Sequence, residues 1–140
     1  MERSLVLIKP DAMQRGYGGA ILGRLQQEGG LKLVALRMLQ MDRALAERHY
    51  AVHAGKPFFD DLIKYIISTP IIAAVFEGEG AVAKVRKLMG ATDPKKAEKG
   101  TIRADFGMDI QRNATHASDS VETAEKEIKL YFGKDEIFDY

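Results

Sequence analysis

The stretch Asn113-Ala-Thr-His116-Ala-Ser118-Asp119-Ser120 holds the residue types of this chain best suited to chemistry. Ser118-Asp119-Ser120 is a helix-start signature, which puts His116 just before the last predicted helix. Free backbone N–H groups and the positive end of a helix dipole favour an anion at such a place. They also disfavour imidazolium, leaving the ring in its neutral, nucleophilic form. A histidine there can take a phosphoryl group onto a ring nitrogen. The same segment also describes a hydrogen-bonded histidine beside a Ser/Asp cap, and from spacing alone that is the stronger reading.

A phosphate site needs donors, and basic residues stand at the ends of predicted elements: Lys9, Arg86, Arg103 and Arg112. Lys9 directly follows a predicted central strand and would point into a cleft. Arg86 falls on the polar side of its helix, and Arg103 lies in Gly100-Thr-Ile-Arg103 with no periodicity to place it. Taken singly, each is more often a surface charge than a ligand. Phe58 and Phe59 are adjacent, so one can enter the core while the other stays free to stack on a planar ring; Tyr50 reads equally as packing. Glu127 flanks the apolar stripe of the last helix on the side of Ser120, Ala124 and Tyr131, but spacing does not choose it over Glu122 or Glu125 as a partner for His116.

One glycine pattern competes with this picture. Gly78-Glu-Gly80-Ala-Val-Ala83 fits a dinucleotide fingerprint, following a strand and opening a helix. No clear strand with a terminal acid lies about 20 residues on, as a Rossmann unit requires, so it reads as a turn and a helix start. No G-x-x-x-x-G-K-[ST] occurs, which excludes a P-loop.

These residues must be positioned by a chain of 140 residues, a length that favours one domain over residues 1–140. A domain of that size buries roughly 68% of its unfolded surface and needs no crosslink. With no cysteine, disulfides, thiolate metal sites and cysteine nucleophiles are excluded. The 21 basic and 20 acidic side chains nearly cancel, so nucleic acid is not indicated and any anion site is local. No apolar run approaches the ~20 residues of a membrane span, and no signal-peptide pattern opens the chain, which points to the cytoplasm.

Ser4 to Ile8 reads as a central strand buried on both faces, and Ile21, Leu22 and Leu25 as a helical stripe stopped by Gly29-Gly30. Leu31 to Met41 reads as a longer strand, followed by a helix capped by Asp42. Pro57 is expected in the first turn of a helix carrying Phe58 to Ile67, closed by Thr69-Pro70. Ile71 to Glu77 gives a third strand, then a helix through Val82, Val85, Leu88 and Met89 ends at Gly90. From Ala91 to Asn113 the pattern is a polar loop and broken strand-like pieces around Ile102 and Phe106 to Ile110, with a fourth strand expected between Thr101 and Ala117. The last helix carries Val121, Ala124, Ile128 and Tyr131. The whole is an α/β domain on one small sheet.

At this point the motifs resemble a known family. Asn113-x-x-His116-Ala-Ser118-Asp119 is similar to the active-site signature of nucleoside diphosphate kinases. Ile8-Lys9-Pro10-Asp11, Gln14-Arg15-Gly16, His49-Tyr50, Lys56-Pro57-Phe58-Phe59, Gly90-Ala-Thr92-Asp-Pro94 and Gly100-Thr101-Ile102-Arg103-x-Asp105-Phe106 follow the family's order over nearly the whole chain. The resemblance implies a ferredoxin-like α/β sandwich on a four-stranded antiparallel sheet. It implies His116 as the nucleophile that carries the γ-phosphoryl group from a nucleoside triphosphate, typically ATP, to a diphosphate in a ping-pong cycle. Glu127 and Ser118 would orient the ring. Lys9, Tyr50, Arg86, Thr92, Arg103 and Asn113 would hold phosphates and ribose, Lys9 also acting in catalysis, and Phe58 would stack on the base. Mg²⁺ would arrive on the nucleotide phosphates rather than in a protein site, and the chain would form a homo-oligomer, tetramer or hexamer.

Departures from the family pattern fall beside these residues. Ala117, Ala104 and Gln111 stand at common glycine positions, Lys99 at a common proline, and Val52 at a common acidic position. If Ala104 and Gln111 needed φ > 0, each would strain its loop. Two other readings stay open: a non-catalytic nucleotide-binding regulatory module, which predicts loss of His116, Glu127 or the phosphate set, and a histidine-dependent phosphohydrolase that passes the group to water.

Overall fold

Alternation along the first strand organises the molecule. In the computed structural model, which describes residues 1–140, β1 (Glu2–Ile8) sends Leu5 and Leu7 into one hydrophobic core and Val6 and Ile8 into a second. All four side chains are fully buried, as a continuous apolar run predicts for a strand covered on both faces. Around it stand β2 (Lys32–Leu39), β3 (Ile71–Gly78) and β4 (Thr115–Ala117), in the order β2-β3-β1-β4 with every pairing antiparallel. That is the ferredoxin-like arrangement.

Seven helices cover the sheet: α1 (Pro10–Gln14), α2 (Gly18–Gln27), α3 (Arg43–His49), α4 (Phe59–Ile66), α5 (Ala81–Met89), α6 (Ile102–Phe106) and α7 (Val121–Tyr131). The Leu5–Leu7 side carries α3, α4 and α7 through Ala46, Ile63, Ile66, Ile128 and Tyr131. The Val6–Ile8 side carries α1, α2, α5 and α6 through Ala12, Ile21, Leu25, Val85 and Ile102. No helix is long and apolar enough to cross a membrane.

Several local signals behave as the sequence suggests. The Asp42 carboxylate accepts from the Leu45 N–H at 2.8 Å and starts α3. Gly90 ends α5, and Gly78-Glu-Gly80 is a turn between β3 and α5. Because the sheet is antiparallel, that turn has no Rossmann context.

Three expectations are corrected. Pro57 precedes α4, which starts at Phe59 after a turn through Phe58. Ile102 is helical rather than strand-like: Thr101 Oγ1 accepts from the Ala104 N–H at 3.3 Å and nucleates α6, whose single buried residue gives no period to read. Residues 107–113 form a loop tied by Asp109, whose carboxylate accepts from the Gln111 and Arg112 N–H groups. The fourth strand occupies only the last three residues of its expected window. The conditional strain at Ala104 and Gln111 does not arise; the one non-glycine residue with positive φ is Ala114, at 75°.

Gly90 is held at φ 83°, ψ −175°, which only glycine adopts readily, and a Cβ there would stand 2.5 Å from Thr101 Oγ1. Gly90→Ala is therefore expected to lower unfolding free energy by about 2 kcal/mol or more in urea titration; an unchanged midpoint would contradict this packing.

Candidate active site

Strand pairing comes first. β4 lies antiparallel to β1 with His116 opposite Leu7, so the imidazole stands on the Leu7 face, where α3 and α7 pack. His116 is thus a strand residue rather than the residue at a helix N-terminus. The start of α7 is closed by Ser120, whose Oγ accepts from the Thr123 N–H at 3.0 Å.

What grips the ring is a side chain from α7. His116 Nε2 and Glu127 Oε2 are 3.0 Å apart, while the other carboxylate oxygen accepts from Ser118 Oγ at 2.7 Å. Ser118 is itself fixed, its Oγ accepting from the Leu5 N–H at 3.1 Å. Backbone of the central strand, hydroxyl, carboxylate and imidazole therefore form one chain. Glu122 and Glu125 are exposed on the far side of α7, so helix rotation selects Glu127 from the three candidates. Burial pushes the Glu127 carboxyl up, but the hydrogen bond and charge of His116, with the Ser118 hydroxyl, outweigh it and hold the group below its ordinary value. An ionised carboxylate only accepts, so His116 Nε2 carries the proton and Nδ1 presents a lone pair.

A second imidazole stands beside the first. His49, at the end of α3, is edge-on to His116 with ring centroids 4.5 Å apart, and its Nδ1 lies 2.9 Å from the Tyr131 hydroxyl. Burial first, then the neighbouring His116, pushes His49 down to about 3, so it is neutral at physiological pH. His49, His116 and Glu127 form the chain's one group of three metal-ligand-type side chains, with their ligand atoms within 4.8 Å of one another.

His116 opens on a cavity of about 1150 Å³. Lys9, Tyr50, Phe58, Arg86, Thr92, Arg103, Asn113 and Glu127 all line it with His116. Ser118 does not; it is fully buried behind Glu127. Lys9 leaves the end of β1 into this space, where Nζ donates to Asn113 Oδ1 at 2.9 Å and to the Gln111 carbonyl at 3.3 Å. Asn113 is oriented in turn by donating from Nδ2 to the Thr92 carbonyl at 3.0 Å. Burial first, then Arg103, lowers Lys9 to about 8.

Arg103 donates from Nη1 to the Gly90 carbonyl and from Nη2 to the Thr115 carbonyl, both at 3.0 Å. Burial and nearby Arg86 lower it to about 10. Arg86 is exposed to the cavity from the polar side of α5. Arg112 pairs instead with Asp109 at 2.6 Å on the surface. Lys9, Arg86 and Arg103 face the cavity without a carboxylate salt bridge, and Arg48 and Lys126 line it as well, a charge balance that suits an anion.

The rim is aromatic. Phe58 is 48% exposed on the cavity wall while Phe59 packs against the core, the split expected for that pair. Tyr50 is buried along the same wall and its hydroxyl has no hydrogen-bond partner in the chain. His49 and Asp11 lie inside family motifs, yet nothing in the sequence around them gives either a role. A lone histidine on an apolar stripe and an acid after a strand carry no signal of their own.

Comparison with known proteins agrees with this geometry. The family model described as nucleoside diphosphate kinase matches residues 2–137. The nucleoside diphosphate kinase of Dehalococcoides mccartyi is 59% identical over 140 residues, covering 100% of this chain and 98% of the relative. That of Archaeoglobus fulgidus is 53% identical, covering 100% and 92%. Among solved structures, the Aquifex aeolicus nucleoside diphosphate kinase superposes with a TM-score of 0.94 at 45% identity, covering 98% of this chain and 99% of that one. The Halobacterium salinarum enzyme in complex with CDP superposes with a TM-score of 0.95 at 47% identity, covering 99% and 92%. With its family model spanning nearly the whole sequence and relatives of this identity along its full length, the chain belongs to the nucleoside diphosphate kinase family.

Proposed function

We propose that the chain moves γ-phosphoryl groups between nucleotides through a phosphohistidine on Nδ1 of His116. The observation that carries this reading is the 3.0 Å contact of His116 Nε2 with Glu127, which leaves Nδ1 as the free nucleophilic nitrogen of the ring. In the first half-reaction Nδ1 bonds to the γ-phosphorus as the bond to the β,γ-bridging oxygen breaks, and the diphosphate leaves. In the second, a terminal oxygen of another diphosphate attacks the same phosphorus and the Nδ1–P bond breaks. The ring becomes cationic when phosphorylated, and the Glu127 carboxylate stabilises that charge as Ser118 keeps it in place.

The remaining lining residues divide by chemistry. Lys9, Arg86 and Arg103 stabilise charge on the transferring oxygens, the main contribution protein groups make to phosphoryl transfer. Asn113 orients Lys9, the unpartnered Tyr50 hydroxyl and Thr92 supply neutral contacts to phosphate or ribose, and Phe58 stacks on the base. Stacking reads no base edge, so such a site would admit both purine and pyrimidine nucleotides. The only carboxylates lining the cavity are Asp119 and Glu127, and Glu127 is committed to His116. Such a wall suits Mg²⁺ carried in on the nucleotide phosphates as part of the substrate, because this ion is commonly held by phosphates and water rather than by a protein cage.

The same reading includes a homo-oligomer, which is supported by Leu36 and Met38, 51% and 64% exposed on the edge strand β2.

Mixing the protein with ATP and Mg²⁺ should give one acid-labile phosphoryl adduct by intact mass, removed by a second nucleoside diphosphate and never formed by His116→Ala. An adduct discharged only to water would instead make the protein a hydrolase, and no adduct despite nucleotide binding would make it a regulatory module.

Lys9 yields a pH prediction. In the free protein it titrates at about 8, below the ordinary lysine value because it is buried. A bound phosphate supplies the missing counter-charge and raises it, so nucleotide affinity falls as pH rises through that value. Binding at pH 9 should take up about one proton, read by calorimetry in buffers of different ionisation enthalpy. Lys9→Met should take up none; equal uptake in both proteins would contradict the assignment.

A further inference from the structure

Asp11 belongs to the Lys9-Pro10-Asp11 motif, yet it takes no part in the transfer described above and does not line the cavity. It is nonetheless a buried carboxylate, 4% exposed, with a specific set of partners. Oδ2 accepts from the Ala114 N–H at 3.0 Å, and Oδ1 accepts from the Tyr65 hydroxyl. The same hydroxyl accepts from the Asp11 backbone N–H at 3.0 Å, closing a ring between α1 and α4. Arg15 Nη2 stands 3.7 Å from Oδ2.

The residue this carboxylate grips is the one strained non-glycine position of the chain. Ala114, at φ 75°, sits in the left-handed region that alanine avoids, and it is fully buried. On its other side the Ala114 carbonyl accepts from the Lys9 N–H at 2.9 Å. Its neighbours are Asn113, the partner of Lys9 Nζ, and Thr115, the residue before His116 and the acceptor for Arg103. If the Ala114 backbone relaxed to an ordinary conformation, Asn113 would turn relative to the strand carrying His116. Three functional side chains therefore depend on one unfavourable backbone conformation.

We propose that Asp11, supported by Tyr65, is a positioning residue for phosphoryl transfer that holds Ala114 in its left-handed conformation. Through that residue it keeps Lys9, Asn113 and His116 in register. The inference rests on the reading of His116 as the phosphoryl carrier.

The test uses glycine, which adopts the left-handed region without strain. His116 phosphorylation is timed by rapid quench in the wild type, Asp11→Ala, Ala114→Gly and the double variant, well below their unfolding temperatures. Asp11→Ala should slow phosphorylation about tenfold or more, because small misplacements of reacting groups are expensive in rate. Asp11→Asn, which keeps an acceptor for the Ala114 N–H, should recover most of that loss. In the Ala114→Gly background the same Asp11→Ala change should slow the step by less than about threefold, since glycine keeps the turn unaided. A carboxylate that merely stabilised the fold would show no such rescue.

If Asp11→Ala does not fold, Tyr65→Phe replaces it in the cycle, with a smaller loss that also vanishes in the Ala114→Gly background. Wild-type rates in Asp11→Ala, or the same loss in both backgrounds, would overturn the proposal. Absence of any His116 adduct in the wild type would instead overturn the phosphohistidine reading itself.

Discussion

Burying a carboxylate is tolerable only when its oxygens are satisfied, and the site is organised around meeting that demand for Glu127. One oxygen receives the Ser118 hydroxyl and the other the His116 ring. Ser118 can serve because the pairing of β4 with β1 sets its hydroxyl against the backbone of Leu5. The ring can serve because the same pairing turns His116 toward α7 rather than toward the opposite core. The constraint that completes the carboxylate also fixes the tautomer of His116, so one set of contacts meets the structural requirement and the chemical one that the proposed transfer makes.

The cavity opposite the ring carries the reverse imbalance. Lys9 and Arg103 are held by carbonyl and amide oxygens rather than by carboxylates, and burial lowers the pKa of both. Taken alone, desolvated cations without counter-ions oppose folding. Because Lys9 is lowered from 10.5 to about 8, its penalty is fully present below about pH 8 and is relieved as pH rises toward 10.5, so its contribution to stability increases across that window. A nucleotide phosphate bound as proposed would remove the imbalance by supplying negative charge, and its binding would then strengthen the fold. The two cores on either side of β1, closely packed and fully buried, offset the desolvation.

Much of this was legible in the sequence where a signal was local. The SLVLI run fixed β1 as buried on both faces, Asp42 marked a helix start, Gly90 a helix end, and the Phe58-Phe59 pair its own division of labour. Where structure depends on a distant partner, the sequence was silent. β4 is three residues long and exists because β1 pairs with it. α6 is a single turn nucleated by Thr101, too short to show a period. Choosing Glu127 over Glu122 and Glu125 needs the rotation of α7 about its axis, and the burial of Lys9 needs the whole cavity. Nothing in an alanine announces a left-handed backbone, so Ala114, and the Asp11 carboxylate that grips it, became visible only in three dimensions. For the chemistry itself, spacing favoured reading His116 as an ordinary hydrogen-bonded histidine beside a cap, and only the run of family motifs pointed to a phosphoryl carrier.

The most direct test of the account is to identify the phosphorylated nitrogen. The protein is labelled with ¹⁵N-histidine, charged with ATP, and examined for phosphorus–nitrogen coupling by NMR. Because Glu127 occupies Nε2, the phosphoryl group should sit on Nδ1 of His116. Coupling to Nε2, or a phosphoryl group on any other residue, would contradict the claim that Glu127 selects the nucleophile.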